Sequence, residues 1–186
     1  ALKFLASRKS LLATQPLVEL LYIQVPLDGR VTEQADFDMS AYYGNTAREV
    51  FASMLGDIEA LGIEVKKSHL VGHPAEVIPE YAHDKNTDLI VMGARGMSTL
   101  KNLYMGSVSL SVVSSGVCPV LICRKSIYFG DENLNVTIAV DGSDFGPKCA
   151  DFAIKNKALF GPSPKFELVS IQSDIRAIMP SQVSQA

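Results

Sequence analysis

The chain has 186 residues, 47% of them hydrophobic and 20% charged, with a formal net charge of -3. That composition is ordinary for a globular protein and excludes a disordered chain. There is no basic footprint of a general nucleic-acid binder, and no apolar run reaches the roughly 18 residues of a membrane span. The opening ALKFLASRKS does not read as a secretory signal, so a cytoplasmic protein is expected. Three cysteines, Cys118, Cys123 and Cys149, are too few and too oddly counted for a disulfide framework. Cys118 and Cys123 lie in the apolar VCPVLIC and are expected to be buried, inert thiols.

Residues 2–13 read as a helix closed by Pro16. The run LVELLYIQV (17–25) suits a strand buried on both faces. A polar loop from Pro26 to about Ser40 precedes helical spacing over 41–61, with Gly62 placed to end it. Residues 63–71 read as a strand. Pro74 can open the next helix, about 75–85, which Pro79 should shorten or bend. DLIVM (88–92) is the clearest buried strand. A glycine-rich loop follows it, then a helix over 106–115 with Val108, Val112 and Ser115 on one face, and a last apolar strand at 117–123. Regular alternation of helix and strand predicts a parallel sheet with helices on both faces. After a polar stretch, VTIAV reads as a strand, 146–160 as a helix and 166–172 as a strand.

Residues 1–24 align without a gap on 149–172, with eight identical pairs, including Glu19/Glu167, Ile23/Ile171 and Gln24/Gln172. The chain therefore reads as a tandem α/β array. Residues 1–125 form a first copy lacking its first strand, 126–135 a linker, and 136–186 the start of a second copy. One expectation is a fragment of a longer tandem protein. The other is that residues 136–141 complete the first copy's sheet, in the same chain or by a swap. A sheet without its central strand would leave backbone groups unpaired.

The chemistry-bearing spacing is Gly93-x2-Gly96-x9-Gly106-Ser107, directly after the buried strand. Glycines in a strand-to-helix loop let phosphate oxygens approach backbone N–H groups, and a helix start adds partial positive charge. Alone, the spacing is weak evidence and reads first as a pair of structural turns. There is no G-x4-G-K-[ST] run and no G-x-G-x-x-G fingerprint. His69 and His73 read as exposed polar residues, His83 as a helix-surface residue and Lys66-Lys67 as a solvated strand edge. Asp141-Gly142-Ser143 is either a carboxylate that helps hold a cation beside phosphates or a turn and helix cap. A receiver domain would need an acidic cluster and a lysine that are unmatched here.

GHPAEVI (72–78), DLIVMGARGMSTLKNLYMGSVSLSVV (88–113), CPVLI (118–122) and TIAVDGSD (137–144) resemble the universal stress protein family, in its ATP-binding branch and tandem form. The resemblance implies a doubly wound, Rossmann-like, five-stranded parallel sheet of the adenine nucleotide α-hydrolase-like kind. It implies ATP, with Mg or Mn, bound by Gly93, Gly96, Gly106 and Ser107, with Arg95, Met97 and Ser98 in the same loop. It places Asp141 near the adenosine and the backbone of Ile23, or Ile171 in the second copy, on the adenine. It also implies pairing through strand 117–123, as a homodimer or between copies. The expected function is a nucleotide-dependent regulatory module of the stress response. A slow ATPase or phosphotransferase, and a dimerising scaffold without nucleotide, are the competing readings. No catalytic base or phosphate lysine is visible in the motif.

Overall fold

The computed structural model describes residues 1–27, 38–94, 105–124 and 133–170. The chain divides into two compact units. The first holds Ala1–Ser7 and the described residues of Leu12–Gly130. The second holds Arg8–Leu11 and the described residues of Asp131–Ala186.

The helix expected over 2–13 is two short ones, α1 (Leu2–Ser7) and α2 (Lys9–Leu12). Ser7 explains the break. Its hydroxyl donates to the Phe4 carbonyl at 2.7 Å, a local bond that competes with the helical ladder. Strand β1 (Val18–Gln24) follows, then α3 (Met39–Ser53) and α4 (Leu55–Glu59). These two replace the single helix expected over 41–61, with Met54 between them. Gly62 ends that segment in the left-handed conformation (φ 66°) that favours glycine. Phe4 and Leu5 of α1 are buried, and α1 packs on α4.

Strand β2 (Val65–Val71) pairs in parallel with β1, from Val18↔Val65 to Gln24↔Val71. Helix α5 (Pro74–Asp84) carries Pro at its first position and Pro79 inside, yet runs for 11 residues. Pro79 has no N–H to give the Ala75 carbonyl four residues back. Ser111 supplies a replacement, its hydroxyl donating to Ala75 O at 3.3 Å. Strand β3 (Ile90–Gly93) pairs in parallel with β4 (Val120–Cys123), and α6 (Ser107–Ser115) packs on α5 and β4. On α6 the buried residues are Ser109 and Val112, which corrects the expected Val108–Val112–Ser115 face. Gly116, at φ 64°, closes the helix.

The second unit is a β-α-β arrangement. Strand β5 (Asn135–Val140) pairs in parallel with β6 (Lys165–Ser170), and α7 (Phe145–Lys155) packs on β5. Gly146 permits that packing, because a Cβ there would lie 3.0 Å from Val140 Cγ1.

The protein is thus an α/β fold of parallel strands. Its described strands form three separate pairs, β1-β2, β3-β4 and β5-β6. The strands expected to be buried on both faces are mostly half-buried: β3 throughout, and β1 up to Gln24, its one buried residue. Within its pair each has a neighbour on one edge. No helix among the described residues is long and apolar enough to cross a membrane.

Candidate functional site

The backbone ladder decides which groups at the strand ends are free to act. In a parallel pair, successive residues direct their N–H and C=O groups alternately to one edge and the other. Gly72 N–H donates to Gln24 C=O at 2.9 Å, so Gln24's backbone faces β2 and Ile23's faces the opposite edge of β1. On β3, Ile90 N–H donates to Pro119 O at 3.0 Å and Ala94 N–H to Cys123 O at 2.9 Å. The Gly93 backbone therefore faces the edge away from β4.

The turn from β3 to α6 is tied by two contacts. Gly106 N–H donates to Ala94 O at 2.8 Å, and the buried Ser109 hydroxyl donates to Gly93 O at 2.9 Å. The Gly106 N–H is thus taken up within the turn. What Gly106 offers is the absence of a side chain. It is the N-cap of α6 (φ -75°, ψ 158°) and makes no side-chain capping bond. The first-turn N–H groups of α6, from Ser107 onward, have no intrahelical acceptor. The exposed Ser107 hydroxyl stands beside them. The start of α3 differs: there Asp38 Oδ1 accepts from Ala41 N–H at 2.9 Å.

Gly93, Gly106 and Ser107 are thus brought together at one turn. Ile23 lies on β1 of the same unit, with its backbone at the open edge. Asp141 belongs to the second unit. It is exposed and accepts from Ser143 N–H at 3.0 Å, beside Gly142 at φ 84°. Ser143's bonds lower its pKa, and the geometry is that of a turn. Arg95, Gly96, Met97 and Ser98 lie outside the described residues, as do Ile171 and most of the 126–135 linker.

The other end of β1 is polar and internally satisfied. Glu19 Oε1 accepts from Tyr81 OH at 2.6 Å, from Ser68 Oγ, and from Lys66 Nζ at 3.0 Å. The hydrogen bonds from Ser68 and Tyr81, then the Lys66 bond and charge, hold its carboxyl down at about 2. Lys66 is therefore an ion-pair partner as well as a solvated edge residue. His69, expected to be exposed, is half-buried and stacks on Tyr22 with ring centroids 5.4 Å apart. His73 and His83 are exposed. Cys123 is buried and Cys118 half-buried, and burial raises both thiols. No group of three or more His, Cys, Asp or Glu able to hold a metal occurs among the described residues.

Residue-type reasoning missed Gln24. It is 7% exposed, and its Oε1 is buried without a hydrogen-bond partner; His69 Nε2 shares that state. The signal was a polar residue ending an apolar strand, repeated as Gln172.

A sequence profile described as "Universal stress protein family" matches residues 11–124. The chain is similar to Universal stress protein MJ0531 of Methanocaldococcus jannaschii. The two are 40% identical over 67 residues, which are 36% of this chain and 39% of that protein. The chain thus spans about two fifths of that relative's length. A universal stress protein structure from Archaeoglobus fulgidus aligns over 95% of this chain and 66% of its own, at a TM-score of 0.65 and 22% identity. A universal stress protein solved in complex with cAMP aligns over 67% of this chain and 89% of its own, at a TM-score of 0.50 and 19% identity. These structures share the fold.

Proposed function

The chain belongs to the universal stress protein family, and we propose that it is a nucleotide-dependent regulatory module that binds ATP where β3 turns into α6. The observation that carries this reading is the uncapped start of α6. A glycine stands where a capping side chain would sit, and the first-turn donors are left for an external anion. The Ser107–Ser109 N–H groups and the Ser107 hydroxyl hold the phosphates. Gly106 leaves them room, and the edge-facing backbone of Ile23 meets the base. The cAMP bound by a relative of the same fold supports the ligand class. The described residues offer no acidic cluster, so Mg or Mn arrives bound to the nucleotide's own phosphates. Arg95, Gly96 and Met97 belong to the same site in this reading, and Asp141 joins it if residues 136–141 supply the missing strand.

The same reading completes the first unit's strands into a five-stranded parallel sheet. One further strand would lie beside β1 and β3, along the part of each outer edge that precedes Ile23 and Gly93. The tandem organisation and pairing through β4, with another chain or with the second copy, are part of it, as is a cytoplasmic location.

The test is to denature the purified chain, remove the protein and identify released nucleotide by chromatography. About one ATP per chain is expected for one such site. Recovery mainly as ADP would favour the hydrolase reading. No nucleotide, and none taken up from Mg-ATP, would overturn the proposal and favour a scaffold.

A further inference from the structure

We propose that the Gln24 side chain is the base-reading group of the nucleotide site, its carboxamide oxygen selecting a base that presents an exocyclic amino group over one that presents a carbonyl. The proposal rests on the nucleotide reading above and adds a residue and a selectivity to it.

Its basis is a local mismatch. Gln24 ends β1, and ligands of open α/β sheets bind beyond the carboxyl ends of the strands. Its backbone carbonyl is already taken by Gly72 N–H. Its side-chain oxygen is buried and has no donor. A buried acceptor left in that state is costly, and each such group calls for a partner. Among the described residues none is supplied from the same face of the strand pair. Tyr22, two residues earlier on that face, is engaged with the rings of His69 and Phe51. His69 Nε2 is itself without a partner.

Ile23, next in the chain, turns its backbone N–H and C=O to the open edge. A base held there meets Gln24 Oε1 when the side chain turns from its buried position towards that edge. Adenine donates through its 6-amino group. Guanine has a carbonyl at that position, which Oε1 cannot serve while the carboxamide keeps this orientation. The Ile-Gln pair recurs at 171–172, where a second copy would need the same reading.

The experiment measures dissociation constants of Mg-ATP and Mg-GTP by calorimetry for the full chain, Gln24→Met and Gln24→Glu. One met acceptor against one stranded acceptor predicts that the unaltered chain prefers ATP by about tenfold. In Gln24→Met, which keeps length and apolar packing, the ratio should fall to about 2 or less. Gln24→Glu keeps the acceptor and should keep the preference, which decides the matter if the methionine variant does not fold. An ATP preference unchanged in Gln24→Met, or lost in Gln24→Glu, overturns the proposal while leaving the nucleotide reading intact. It would mean that internal water satisfies Oε1. Binding of neither nucleotide by the unaltered chain overturns both.

Discussion

The two ends of β1 sit on one short strand and solve opposite problems. At the start, one carboxylate oxygen of Glu19 gathers donors from Ser68, Tyr81 and Lys66. At the finish, the buried Gln24 oxygen has none. The β3–α6 turn resembles the finish with the sign reversed: α6 begins with donors and no cap. A fold satisfies its polar groups internally where they serve structure. In the proposed reading, the acceptor and the row of donors left over are complemented by a molecule with an amino group and an anion. A nucleotide has both.

The strongest way to break this contrast is to close the open end. Gly106→Asp would place at α6 the cap that Asp38 gives α3. The backbone at Gly106 (φ -75°, ψ 158°) accepts an L-residue without strain. ATP affinity should fall on the order of 100-fold, because a carboxylate both occupies the donors and repels the phosphates. Stability should be unchanged or rise by a few tenths of a kcal/mol. Calorimetry and thermal melting read the two effects separately. Loss of stability together with binding would show that Gly106 serves only the turn. Gly106→Val, which blocks approach without charge, should also abolish binding with the fold kept.

The closed end should answer to acid rather than to ligand. Glu19's carboxyl is at about 2 in the fold against an ordinary 4.5. A depressed carboxylate stabilises the fold fully above its unfolded pKa, and the gain is lost as pH falls from about 4.5 through 2. The side chain is 20% exposed, so solvent screening brings the expected gain to about 1–2 kcal/mol. Denaturant unfolding at pH 7 and pH 2.5 should show a loss in the native chain that is smaller by this amount in Glu19→Gln. Equal acid losses would mean that the cluster adds nothing.

The contrast also explains what could be read from the sequence. Alternation, the parallel strands and the glycine-marked helix end at Gly62 were legible, because they follow from local periodicity and backbone freedom. The break at Ser7 was not, since one hydroxyl chose a local carbonyl over the helical ladder. The helix around Pro79 was legible in its extent, but not the bond by which Ser111, 32 positions away in the chain, serves the carbonyl that Pro79 cannot reach. At the site, Gly93, Gly106 and Ser107 were legible as residue types, yet the division of labour between them was not. Which N–H is spent on Ala94 depends on how the turn closes. Gln24 was hidden because a glutamine ending an apolar strand looks like a solvated boundary until its burial is known.

The smallest effect expected is at α3, and it serves as the control for the first. Asp38 Oδ1 satisfies the Ala41 N–H at 2.9 Å, so this helix start is closed by its own chain, as α6's is not. Asp38→Ala should cost about 1 kcal/mol, the ordinary worth of a capping side chain. It should leave ATP affinity within about twofold, since no ligand group replaces the lost bond there. Urea unfolding and ATP titration on the same preparation measure both. If Asp38→Ala instead created a new ATP or phosphate site at α3, an uncapped start would suffice to hold the anion. A marked loss of ATP affinity without a second site would mean that α3 borders the base. In that case the open region would extend beyond Gln24, and the division between the two ends of β1 would need to be redrawn.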